Sequence, residues 1–454
     1  MNPFDNISPL DTRYYQKAVT KYLSEGSRIR YQLKVEAALA RALARKKICS
    51  FKIAEEIARA CEAVTPEEVY KEEKKINHDI RAVVNCIRNR IDHSSKPFVH
   101  LGATSYDIIS TAEALRFKDF ANNLLIPSLK EFLKTLIDLA LREKNTVQIG
   151  RTHGRHAVPI TFGFAMAEYV SRLGRRIQMI EEKANAIRGK FSGAVGAYNS
   201  MSLFFEDPEK FEVEMLRELG LKPSTHSTQI VEPEFIVDLM HAVVSTFGVI
   251  ANLADDLRHL QRSEINEVAE EFRGAQVGSS TMPHKRNPWH FENVKSFYKE
   301  FMPRMFTVYL DQISEHQRDL SNSASSRFNV EMLAGFLFAV ERMDRYVKSL
   351  IVDKRAMKRN LDSSKDMIIA EPLYLLLAAH GHNNAHEAVR RATLYAQKQG
   401  KPLKEVVLAT PDFQQFFDKF TKEQMAIIND PEKYIGISAR KTENVCEYWE
   451  KFFN

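Results

Sequence analysis

The stretch from Gly278 to Pro288, GSSTMPHKRNP, holds the residue types from which a reactive loop is built. A glycine followed by two serines gives adaptable backbone with exposed hydroxyls and amides, while Pro283 and Pro288 fix the turns that hold Lys285 and Asn287 behind them. Such a loop presents one hydroxyl, from Ser279 or Ser280, and one cation to a single ligand. Pro288 suits the first position of the next helix, so Glu292 is expected one turn inside it with its carboxylate directed back toward the loop.

Four other clusters of small polar, His or Arg residues break the surrounding pattern: NHD at 77–79, HLGATSYD at 100–107, GRTHGRHA at 150–157 and HQRDLSNSASSR at 316–327. Each has a plain structural reading. Thr104 and Ser105 suit the cap of a helix starting near Asp107, and Thr152 that of a helix entering at Pro159. His153 and His156 are a poor metal pair, because Gly154 between them spoils a rigid helical spacing and neither an H-E-x-x-H motif nor a Cys partner is near. No metal is expected there. HKRNP is too short a basic run to argue for nucleic acid.

The elements that must position these clusters are helical. Apolar residues recur at three- and four-residue spacings at Leu125–Leu129–Phe132–Leu136, from Val170 through Leu173, Ile177, Ile180 and Ala184 to Ile187, and from Ile236 through Met240, Val243, Phe247, Ile250 and Ala254 to Leu257. Two more stripes run from Val294 to Val308 and from Val330 to Ile351. With 17 glycines and 16 prolines in 454 residues, well below the usual share of about 12%, loops are sparse. The pattern predicts an all-α chain in three units, 1–107, 108–360 with a central long-helix bundle, and 361–454. Its heptad-like seams can pack against the same chain or a second copy.

The net charge of +6 is small and interspersed, which excludes a basic nucleic-acid stripe. Four separated cysteines without a C-x-x-C pair suit free thiols in a reducing compartment. MNPFDNISPLDTRYY lacks the apolar core of a signal peptide, and no apolar run approaches the roughly 20 residues of a membrane span. A cytoplasmic protein without a membrane partner is expected.

GSSTMPHKRNP resembles the signature of the fumarase/aspartase superfamily, and its MPHKRNP ending is similar to that of the adenylosuccinate lyases and carboxymuconate cycloisomerases. DTRYY at 11–15, NHDIRAV, RTHGRHA with His153, and QRDLSNSASSR resemble segments of the adenylosuccinate lyases, in order, across roughly residues 11–330. Gln317 and Val158 depart from that pattern, where Glu is frequent in both places.

The resemblance implies three helical domains around a long-helix bundle, and β-elimination of fumarate from adenylosuccinate and from SAICAR. It assigns Ser279 as general base, Lys285 and Asn287 as stabilisers of the carbanion, His153 as general acid and Glu292 as its orienting carboxylate. Thr104 and Ser105 would hold a succinyl carboxylate with Gln229 beside the substrate, and Arg13, Tyr14, Arg318, Ser323 and Arg327 would bind the phosphate, with His78, Asp79 and His100 also in the pocket. The resemblance further implies a homotetramer whose sites are shared between chains, and no metal or organic cofactor. The alternative is another superfamily lyase or a cycloisomerase acting on a non-nucleotide dicarboxylate.

Overall fold

The computed structural model describes residues 5–272, 274 and 276–453; the first four residues of the N-terminal stretch considered above lie outside them. The fold is all-α, and its few strands form short two-stranded pairings. The chain divides into two compact units built from interleaved segments, a different partition from the linear one read along the sequence. The first comprises Met1–Lys130, Arg175–Gly248 and Ser296–Glu341, the second Glu131–Gly174, Val249–Lys295 and Arg342–Asn454.

The apolar stripes become the buried faces of the helices Ile126–Arg142, Phe162–Ala186, Glu234–Leu260, Trp289–Phe301 and Asn329–Lys348. Where the stripes outrun the helices, local chemistry explains why. Pro127 has no amide to donate, and the chain enters its helix through a π-helical turn, Ala121–Leu125, in which the Ile126 amide reaches back to Ala121. Pro303 breaks the stripe from Val294 to Val308 into the helices Trp289–Phe301 and Met305–Leu310 with a 3-10 turn between. Ile351, taken as the end of the last stripe, is instead exposed in the two-residue strand Ile351–Val352, which pairs antiparallel with Val268–Ala269.

Contrary to the expectation from the sequence, the helix Glu234–Leu260 is by length and composition alone long and apolar enough to cross a bilayer. Within the protein, 61% of its apolar stretch is buried, as a helix with apolar residues around most of its circumference requires. The C-terminal part of the second unit has its own apolar core, including Leu373, Leu377, Val389, Leu403, Phe413 and Ile428. All four cysteines are free and buried.

The region 147–161 differs most from expectation. Thr152 does not cap a helix; Val147–Thr152 and Arg155–Thr161 pair as an antiparallel hairpin, and the helix begins only at Phe162. The turn consists of two residues, His153 and Gly154, both with positive φ (55° and 73°), the geometry whose twist matches paired strands.

Candidate active site

In the first unit a cavity of about 850 Å³ is lined by Tyr14, His78, Asp79, Thr104, Ser105, Gln229, Arg318, Ser323 and Arg327, nine of the residues singled out in the sequence. The helix Ser105–Phe120 brings its N-terminus to this cavity. Its start is fixed by Asp107, whose Oδ2 accepts the Thr104 amide (2.9 Å) and whose Oδ1 accepts the Gly193 amide (3.2 Å) and the Lys190 ammonium. Both charged side chains of that last pair are wholly buried. A helix N-terminus held this way offers free amides and a positive dipole end to an anion.

Opposite in character is the segment 311–329. Arg318 stacks over the Tyr106 ring (4.2 Å to its centre) and donates to its hydroxyl, so the residue beside Ser105 orients this guanidinium. Asn322 anchors the segment by donating to the Asp311 carbonyl (2.6 Å), and Ser325 donates to the Asp311 carboxylate (2.6 Å). The backbone amide of Gln229 donates to the carbonyl of Gln317 (3.3 Å), which joins the 229 segment to the arginine segment. His78 caps the helix Asp79–Arg88, its Nδ1 accepting the Arg81 amide (3.3 Å), which leaves Nε2 as the proton-bearing nitrogen.

Two predicted pocket residues stand apart from the lining. Arg13 is exposed beside Tyr14, whose own ring is held edge-on by Phe297 (4.7 Å) and Phe338 (5.1 Å). His100 pairs through Nδ1 with the buried Glu36 (2.6 Å). Burial works against the imidazolium there, but the Glu36 carboxylate outweighs it and raises the His100 pKa above its ordinary value.

The cavity is also lined by groups that carry no motif in the sequence. Glu25 gathers Arg28 (2.6 and 2.8 Å), the Tyr70 hydroxyl (2.6 Å) and, at 3.8 Å, Arg327. Burial raises the Glu113 carboxyl above the usual range against the pull of Arg116, Arg28, Arg327 and Arg318, and burial lowers the pKa of Arg116. Arg116 Nε, Arg318 Nε and Asp311 Oδ2 are buried without a hydrogen-bond partner among the described residues. Arg28, Arg116, Arg318 and Arg327 give the cavity lining a set of guanidinium groups, whose planar forks suit an anionic ligand.

The second unit carries the remaining residues. His153 is exposed at the hairpin turn. In the loop, Ser279 Oγ accepts the amides of Met282 (3.0 Å) and Thr281 (3.3 Å), two donors that favour its deprotonated form. The loop closes on itself, for Asn287 donates to the Gly278 carbonyl (3.1 Å). A Cβ at 278 would lie 2.2 Å from the Lys285 carbonyl, so only glycine fits. Lys285 is exposed, as is Glu292 in the first turn of Trp289–Phe301, just after Pro288 rather than with it inside the helix. Among the described residues no hydrogen bond or ion pair joins Glu292 to His153. Among the described residues no group of three or more His, Cys, Asp or Glu is arranged to hold a metal ion.

Helical fold and loop together define a class: residues 10–300 match the family model described as Lyase. Residues 314–435 match a second model, described as Adenylosuccinate lyase C-terminal. The adenylosuccinate lyase of Pyrococcus abyssi is 37% identical, covering 98% of this chain and 98% of that protein, and the one of Archaeoglobus fulgidus is 33% identical, covering 97% and 98%. The chain belongs to the adenylosuccinate lyase family. A crystal structure of the 3-carboxy-cis,cis-muconate lactonizing enzyme from Pseudomonas putida shares the fold, with a TM-score of 0.86 at 24% identity over 98% of this chain and 99% of that one. The similarity extends through the C-terminal region, beyond the limit near residue 330 expected from the motifs.

Proposed function

We propose that the protein cleaves adenylosuccinate to AMP and fumarate by β-elimination, and SAICAR to AICAR and fumarate by the same chemistry. The observation that carries this reading is one cavity in which Arg318 and Arg327 stand with the N-terminus of the helix Ser105–Phe120. A nucleotide bearing a succinyl group needs both, one for its phosphate and one for a carboxylate, and the volume suits a ligand of that size. A dicarboxylate without phosphate would leave Arg318 and Arg327 unused.

Ser279 takes the proton from the carbon beside one succinyl carboxylate. The Thr281 and Met282 amides that meet its oxygen, and the nearby charge of Lys285, make a serine alkoxide less costly than in water. The carbanion places added charge on the neighbouring carboxylate, where Lys285 and Asn287 meet it. Asn287 is tied to the Gly278 carbonyl in the described conformation, so the loop must rearrange as it closes over substrate. His153 then gives a proton to the departing purine nitrogen, with Glu292 orienting its ring. In this reading that contact forms in a homotetramer whose sites draw on different subunits. The protein acts in the cytoplasm, without metal, organic cofactor, nucleic acid or membrane.

Arg318→Ala and Arg327→Ala should each raise KM for adenylosuccinate at least tenfold, since charge-assisted contacts contribute about 1.5–3 kcal/mol each. Fumarate release from the dephosphorylated nucleoside analogue should change little in the same variants. Equal losses on both substrates would remove the phosphate role and with it the nucleotide reading.

A further inference from the structure

We propose that the segment Glu267–Glu270 is a positioning element for the elimination, one carboxylate aiming the hairpin that carries His153 and the other fixing the start of the helix that carries Glu292. The proposal rests on the roles given above to His153 and to the loop from 278 to 288. Each carboxylate acts on its own element, so the argument holds whether or not the two elements serve the same site.

Glu267 is fully buried. Arg151 forks onto it, Nη2 to Oε1 (2.6 Å) and Nη1 to Oε2 (3.0 Å), while Gln148 donates to Oε2 (2.7 Å) and Asn360 to Oε1 (2.8 Å). A carboxylate so removed from water is tolerated only when its charge and lone pairs are met, and here four donors from three side chains meet them. Two of those side chains belong to the first strand of the hairpin. Arg151 lies two residues before His153, just after the irregularity in pairing between Ile149 and Arg151, so the fork sets the direction of the exposed tip.

Three residues on, Glu270 does for a helix what its own cap cannot. Pro288, at the cap position, has no side-chain acceptor for the first amides of Trp289–Phe301. Glu270 Oε1 takes those of His290 (3.0 Å) and Phe291 (2.9 Å). Burial holds the Glu270 carboxyl up at about 7 despite these amides and Arg342, with Glu292 adding to the rise. Between the two glutamates, Val268–Ala269 pair with Ile351–Val352, and the Asp353 amide donates to the Glu267 carbonyl (2.9 Å). The link is therefore a piece of sheet and not a free loop.

The test uses full-length Glu267→Gln, Arg151→Lys and Glu270→Ala with adenylosuccinate, beside His153→Ala. In each positioning variant kcat is expected to fall at least about tenfold, the cost of a small misplacement of a reacting group, with KM within about threefold because the cavity that binds substrate is untouched. Secondary structure and AMP binding should be preserved, and the residual activity of Glu267→Gln and Arg151→Lys should keep the wild-type pH profile. Arg151→Lys, which keeps the charge and loses only the fork, decides the first arm if Glu267→Gln does not fold. Wild-type kcat in Arg151→Lys, or a rise in KM matching the fall in kcat, would overturn the positioning role while His153→Ala remains inactive. A fully active His153→Ala would instead overturn the acid assignment on which the first arm rests.

Discussion

Replacing Ser279 with alanine is expected to remove nearly all turnover while leaving substrate affinity within a few-fold of wild type. General base catalysis is worth about 10²–10⁴-fold in rate, and kcat should fall by that order or more. The hydroxyl matters chiefly in the transition state, so its removal appears in kcat and not in KM. The structure separates it from its neighbour: the amides of Thr281 and Met282 converge on Ser279 Oγ, whereas Ser280 is exposed. Steady-state kinetics of Ser279→Ala and Ser280→Ala check this. An inactive Ser280→Ala beside an active Ser279→Ala would transfer the role to Ser280.

The second large effect is a restoration. Ser279→Ala and His153→Ala subunits, each inactive alone, should regain activity when dissociated together and reassembled. If a site takes its Ser279 and its His153 from different chains, random assortment leaves each intact with probability one half, and about a quarter of the sites recover. Hybrids should be identified by a mass tag, because a bundle of long helices exchanges subunits slowly. Confirmed hybrids as inactive as their parents would show that the residues share a chain or do not act together.

Much of this site was legible in the sequence because its parts are local. Glycine, paired serines and prolines around Lys285 and Asn287 announce a loop wherever they occur, and Thr104 three residues before Asp107 announces a helix start. The helical stripes were legible because a buried face repeats at the period of the helix, and they failed only where Pro127, Pro303 or the helix end at Lys348 interrupted it. The hairpin is less legible, because His153-Gly154, a two-residue turn signal between flanking β-branched and apolar residues, lies in a cluster whose histidines equally suit chemistry. Glu25, Arg28, Glu113 and Arg116 had no signal at all. They sit within ordinary helical sequence, and only the cavity distinguishes them from a solvated face. Glu267 and Glu270 are of the same kind, since their partners at Arg151, Asn360 and His290 are 20 to 116 residues away.

The central claim is that the protein eliminates fumarate from a succinylated purine nucleotide, and product analysis tests it most directly. Purified protein incubated with adenylosuccinate, with products resolved by chromatography and mass, should yield fumarate and AMP in equal amounts, with no metal or organic cofactor added. Adenylosuccinate left intact under those conditions, while a non-nucleotide dicarboxylate is cleaved or cyclised, would contradict it.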